Sequence, residues 1–237
     1  MKIILSLQAI VFFLIPTLFD QKTSFNNIHF TPINHGTFVI EIEESTVFID
    51  PVGDIKLFET FTKPDIILIT DIHGDHLDIE LVNKLKTEKT QIIAPKAVFD
   101  QLKIGTILNN GDTIKIGNIK VEAIPMYNLS EERANFHQKG RGNGYVISAL
   151  EKRIYISGDT EDIPEMRQLK DIDFAFVCMN LPYTMTIEQA ASAVLDFKPK
   201  VVIPFHYRGK GGLSDVEKFA QMVSSNTAIE VKLLKWY

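Results

Sequence analysis

The chain has 237 residues, 45% hydrophobic and 23% charged, with 30 acidic against 25 basic side chains and a formal net charge of −5. That composition is ordinary for a globular protein, and an acidic balance without a basic stripe argues against nucleic acid as a partner. The length suits one α/β domain with a sizeable core.

Met1-Lys2 is followed by an apolar run from Ile3 to Phe19, broken only by Ser6, Gln8, Pro16 and Thr17. A short positive start before such a run predicts a signal peptide over residues 1–23. An uncleaved N-terminal anchor is the alternative, because no A-x-A-like site precedes Asp20 and the run sits at the lower limit for a spanning helix. The expectation is an exported, periplasmic domain over residues 24–237, held at a membrane only if the segment is retained. Cys178 is the single cysteine and lies in the apolar run Phe174 to Met179, so it reads as a small buried hydrophobe on a strand.

From Ile28 the β-branched and aromatic runs predict an opening meander: Ile28 to Ile33, Thr37 to Ile42 and Thr46 to Asp50, with Glu43-Glu44-Ser45 as a hairpin turn. Asp65 to Thr70 is apolar on both faces and predicts a buried strand. Helices are expected over Ile79 to Leu85 and Lys96 to Leu102, with a strand at Gln91 to Ala94 between them. Apolar and polar residues alternate from Asp112 to Ile124 across Gly117-Asn118, a hairpin signal. Further strands are read at Gly144 to Ala149, Arg153 to Ser157, Asp173 to Met179 and Val201 to Phe205. Between the last two, Thr186 and Gln189 match a capping box ahead of an apolar helical face made by Ile187, Ala190, Ala191, Val194 and Leu195. Two strand-rich halves, each carrying helices, place the chain in the α/β class.

The densest chemistry follows the strand at Asp65 to Thr70. Asp71, His73, Asp75 and His76 place four metal-ligand types in six positions, and Gly74 lets the backbone turn tightly enough for both sides to face one ion. Imidazoles and carboxylates together suit Zn²⁺, Mn²⁺ or Fe²⁺. The same arrangement of an apolar strand followed by a ligand type recurs at Asp159, after Ile154-Tyr-Ile-Ser-Gly, and at His206, after Val201-Val-Ile-Pro-Phe. Asp50 ends a fourth such strand.

The string D-I-H-G-D-H resembles the metallo-β-lactamase superfamily signature H-x-H-x-D-H, with Asp71 in place of the first histidine. S-G-D-T around Asp159 and P-F-H-Y around His206 match later motifs of that superfamily in order. P-Y-T-M-T-I-E-Q-A-A and G-N-G-Y-V-I resemble the branch of L-ascorbate-6-phosphate lactonase-like metal-dependent hydrolases. The resemblance implies a four-layer αββα sandwich. It also implies one or two divalent ions, with Asp71, His73 and His137 at one site, Asp75, His76 and His206 at the other, and Asp159 bridging. Asp50 would orient the ligand loop through hydrogen bonds. The third motif stays open: Asn128 occupies the position expected for a histidine, and His137 lies nine residues later in a glycine-rich stretch.

The implied activity is attack by metal-bound hydroxide on an ester, lactone or phosphodiester of a small-molecule substrate, with Asp75 and Asp159 as the catalytic carboxylates. Lys139 and Arg141, in the glycine-rich stretch, are candidates for holding a substrate phosphate or carboxylate. The alternative is an exported binding protein whose altered metal site is non-catalytic. A two-iron oxidoreductase is a weaker competitor, since that branch uses a flavin partner domain. No protein partner can be inferred.

Overall fold

The computed structural model describes residues 23–25, 27–225 and 228–237, so the expected signal or anchor over residues 1–23 lies outside the described residues except for Thr23. Strands β1 (Thr23–Phe25), β2 (Ile28–Asn34), β3 (Thr37–Ile42) and β4 (Ser45–Ile49) form an antiparallel meander. After a 3₁₀ turn at Ile55–Phe58, β5 (Ile66–Leu68) pairs parallel to β4. Helix α1 (Ile79–Leu85) begins where the Asp78 carboxylate accepts the Leu81 backbone N–H, the N-cap its sequence position favours. Then come β6 (Gln91–Ala94), α2 (Lys96–Leu102) and the two-residue β7 (Thr106–Ile107), which complete a seven-stranded sheet in chain order.

The second half opens with the hairpin of β8 (Thr113–Ile116) and β9 (Ile119–Met126), whose two-residue loop puts Gly117 at φ 56°. Only glycine takes that conformation freely. Strands β10 (Gly142–Ala149) and β11 (Lys152–Ile156) continue antiparallel. The chain then proceeds through α3 (Pro164–Arg167), β12 (Phe174–Cys178), α4 (Ile187–Phe197) and β13 (Val201–Phe205), and β11, β12 and β13 run parallel. The capping box of α4 is formed in both directions between Thr186 and Gln189. A small hairpin, β14 (Arg208–Gly209) and β15 (Gly212–Leu213), leads to α5 (Val216–Ser224) and to β16 (Glu230–Val231), which pairs with β13. The second seven-stranded sheet has the order β16-β13-β12-β11-β10-β9-β8.

Period-2 alternation sorts the side chains of the first sheet to two apolar faces. Phe38, Ile40, Val47, Ile49, Ile66 and Leu68 enter the space between the sheets, while Val39, Phe48 and Ile67 join Leu81, Val82, Leu85, Val98 and Leu102 of α1 and α2. Phe38 of β3 stacks on Phe176 of β12 at 4.4 Å, and Phe30 of β2 meets Phe174 and Phe176 edge-on. On the far face of the second sheet, α4 buries Ala190, Ala191, Ala193, Val194 and Phe197, with the Phe197 ring 5.9 Å from Tyr155. The result is the four-layer αββα sandwich. Cys178 is fully buried, and burial pushes its thiol up to about 12, as suits an inert core residue.

Helix α5 goes beyond the elements read from sequence, although Asp215 as N-cap and Val216, Phe219 and Val223 on one face carry the signal. Because β4 and β5 run parallel, and β11 and β13 run parallel to β12, their C-terminal ends open at one edge of the sandwich. Asp50, Asp71, Asp159 and His206 follow those ends. Ligand-binding residues gather in crevices of this kind.

Candidate metal centre

Asp50 follows β4 at φ 42° and His206 follows β13 at φ 46°, left-handed conformations that are costly for residues with a side chain. Hydrogen bonds hold both. The Asp50 carboxylate accepts from the Thr70 backbone N–H at 2.7 Å, from the Thr70 hydroxyl and from His76 Nδ1–H at 2.8 Å. His206 donates its backbone N–H to the His35 carbonyl at 3.3 Å, tying β13 to the β2–β3 turn.

The structure brings seven of the sequence-predicted residues into one cluster. Asp71, His73 and His137 each offer an atom within 4.8 Å of the others, and so do His76, Asp159 and His206. Asp159 links the two groups, its Oδ2 lying 3.2 Å from His137 Nε2 and 3.4 Å from His76 Nε2. Asp75 stands beside the second group, with Oδ2 3.4 Å from His206 Nε2.

These residues fit a divalent cation on the evidence of their unpartnered atoms. His76 Nε2, His137 Nε2, Asp159 Oδ1 and both ring nitrogens of His206 are buried without a hydrogen-bond partner, an arrangement proteins avoid unless another group satisfies it. With Nδ1 donating to Asp50, His76 keeps the Nε2 lone pair free to ligate. Three carboxylates, at 71, 75 and 159, set the charge. Burial pushes the Asp159 carboxyl up, but the surrounding His206, His76 and His137 imidazoles outweigh it and hold it well below the usual range. Burial likewise pushes Asp75 up, and the adjacent His206 and His35 imidazoles bring it below its ordinary value.

His137 reaches the cluster from the β9–β10 connection. Asn128 frames that loop: its amide donates to the Arg133 and Tyr183 carbonyls, and its backbone N–H donates to the His137 carbonyl. Glu161 anchors the same segment by accepting the Leu129 and Ser130 backbone N–H groups and pairing with Arg133. The motif's third position is thus divided, with Asn128 shaping the loop and His137 facing the cluster.

The two cations proposed to hold substrate are engaged elsewhere. Lys139 donates to Glu165 at 3.1 Å and to the Tyr127 hydroxyl at 3.2 Å on an exposed surface, because α3 places a carboxylate within its reach. Arg141 forms a two-point pair with Asp71, Nε to Oδ1 at 3.0 Å and Nη2 to Oδ2 at 2.7 Å. Neither lines the cleft above the cluster, which holds about 300 Å³ between His73, Asp75, Phe136, His137, Asp159, Asn180 and Tyr183.

His35 is the site residue that sequence reasoning missed. It sits in the β2–β3 turn at φ 57°, stacks on His206 with ring centroids 3.9 Å apart, and places Nε2 3.3 Å from Asp75 Oδ2. Its Nδ1 lies 2.8 Å from the Tyr237 hydroxyl. The available signal was His35-Gly36 at a tight turn between two apolar strands. Gly36 is itself required, since a Cβ there would come within 2.7 Å of His206 Cδ2.

Comparison with known proteins agrees with this fold. Residues 29–206 match the family model described as beta-lactamase superfamily domain. A UPF0173 metal-dependent hydrolase of Nanoarchaeum equitans is 34% identical over 183 residues, covering 74% of this chain and 81% of the relative. Another from Archaeoglobus fulgidus is 30% identical over 223 residues, covering 86% and 95%. A crystal structure from Parabacteroides distasonis superposes with a TM-score of 0.83 at 40% identity, over 90% of this chain and 97% of that one. The fold and the clustered histidines and carboxylates therefore define a member of the beta-lactamase superfamily, and the chain belongs to its UPF0173 metal-dependent hydrolase group.

Proposed function

We propose that the enzyme hydrolyses a neutral carboxylic ester or lactone, using one or two divalent ions, zinc or manganese, held by Asp71, His73 and His137 on one side and by Asp75, His76 and His206 on the other. Asp159 lies between the two sets. Ions held by these residues would supply acidified water as nucleophile and polarise the scissile carbonyl, so no protein nucleophile would be needed. Asp75, ionised at neutral pH and open to the cleft, accepts a hydrogen bond from the attacking water and orients it. His35 supports Asp75 from behind.

The observation that carries the reading is the lining of the cleft. Phe136 and Tyr183 meet edge-on at 5.1 Å and give the lining an aromatic patch. No Lys or Arg is among the lining residues, so an anionic substrate finds no protein counter-charge there. Asn180 has its Oδ1 occupied by the Thr184 hydroxyl, and the group it has left to offer is the amide donor. These features favour an uncharged acyl compound over a phosphodiester.

The test is kcat/KM of the metal-loaded full chain on neutral lactones, aryl esters and bis-p-nitrophenyl phosphate. Ester or lactone turnover at least about tenfold above the phosphodiester, and lost in His76→Ala, is expected. Faster phosphodiester turnover would reverse the substrate assignment, and no turnover of any class would reject hydrolysis of these bonds.

A further inference from the structure

We propose that Arg141 is a resident counter-cation of the first ligand group, competing with a divalent ion for Asp71 and making that site the weaker of the two. The inference rests on the metal reading of the same cluster. Asp71 is completely buried and bears a negative charge where the superfamily signature has a neutral imidazole. Arg141 returns the missing positive charge. Its guanidinium occupies both carboxylate oxygens, comes within 3.4 Å of His73 Nε2, and donates to the Phe136 carbonyl, so one planar cation is held on three sides of the first group.

Backbone packing fixes this position. The next residue, Gly142, starts β10 so close to the metal loop that a Cβ would meet the Thr70 carbonyl at 2.9 Å, and Asn143 N–H donates to that same carbonyl. Arg141 is therefore delivered to Asp71 by the strand that follows it. The second group differs in kind. The ion-pair partners of Asp75 and Asp159 are histidines, each with a ring nitrogen that can itself ligate an ion, whereas a guanidinium has no lone pair to offer and carries a fixed positive charge. A divalent ion entering the first group is repelled by Arg141 and shares Asp71 with it; one entering the second group meets neither obstacle.

The experiment is a competition titration of the full chain with Zn²⁺ or Mn²⁺ against a chromogenic chelator, comparing wild type with Arg141→Met and Arg141→Gln. Wild type should show a tight step and a weaker one. In both variants the weaker step should tighten at least about tenfold while the tight step stays within about threefold. The ion-free variants should also melt at lower temperature than ion-free wild type, and gain more on metal addition, because Asp71 then loses its permanent counter-charge and keeps only the His73 imidazole, 2.9 Å away, and the metal. Asp71→Ala should remove the weaker step. Arg141→Gln keeps a neutral donor to Asp71 and serves if Arg141→Met does not fold. A weaker step that is unchanged or looser in the variants, or two equal steps in wild type, would overturn the inference and leave the metal centre intact. Absence of bound ion in all three proteins would overturn both.

Discussion

His76 and Asp50 lie 26 residues apart in the chain and 2.8 Å apart in the structure, with Nδ1–H of the buried imidazole donating to the buried carboxylate. This contact joins the end of β4 to the loop after β5 and decides which His76 nitrogen faces the cluster. Asp50→Asn should lower affinity for the divalent ion at the second group about 10- to 100-fold, the usual effect of losing a carboxylate behind a metal-binding imidazole. Asp50→Ala should also cost about 3–5 kcal/mol of stability, since Thr70 and His76 lose their common acceptor. Chelator competition and urea unfolding check the two effects separately.

Gly36 gives a steric prediction. Its place against His206 leaves no room for a methyl group, and His206 is fully buried and cannot swing aside. Gly36→Ala should destabilise the protein by about 1–3 kcal/mol and weaken metal binding at the second group. Wild-type metal affinity in this variant would show that His206 is not needed as a ligand.

Glu161 gives a pH dependence. Burial pushes its carboxyl up, but the Ser130 backbone amide, the Arg133 guanidinium, the Ser130 hydroxyl and the Leu129 amide together hold it below its usual value of 4.5. A depressed folded value means that the unfolded state binds more protons between the two values. The stabilisation is therefore complete above about pH 4.5 and is lost as pH falls through the folded value. Glu161→Gln should cost about 1–3 kcal/mol at pH 7, and its difference from wild type should narrow below pH 4.5 in urea melts. Because Glu161 holds the segment leading to His137, the variant should also bind metal less tightly at the first group.

Removal of metal should be visible in stability. The three clustered carboxylates lose their strongest counter-charge on chelation, so EDTA should lower Tm, and returning ion at about 100 times its Kd should restore about 2.7 kcal/mol per site. A Tm indifferent to both treatments would contradict ion binding in the folded state.

Much of this was legible in the sequence, because β5, β11 and β13 each end in short apolar stretches followed within three residues by an acid or an imidazole. Asp71, Asp159 and His206 announce themselves for that reason. The two-residue strands β7, β14, β15 and β16 leave no periodic signal, since pairing in so short a segment is set by its neighbour. His35 escaped notice because its role depends on a turn that carries it over His206, 171 positions away in the numbering. Arg141 and Lys139 were visible as cations near the site. Their partners, Asp71 and Glu165, are a matter of three-dimensional placement that spacing along the chain does not encode.

The most direct measurement is metal per chain after equilibrium dialysis of the full chain against Zn²⁺ or Mn²⁺, by elemental analysis, for wild type, His76→Ala and His206→Ala. A tightly held equivalent in wild type, with a second appearing at higher ion concentration and the tight one lost in both variants, is the predicted result. Wild-type protein that retains no stoichiometric ion, or variants that retain as much as wild type, would contradict the assignment of this cluster as the metal centre.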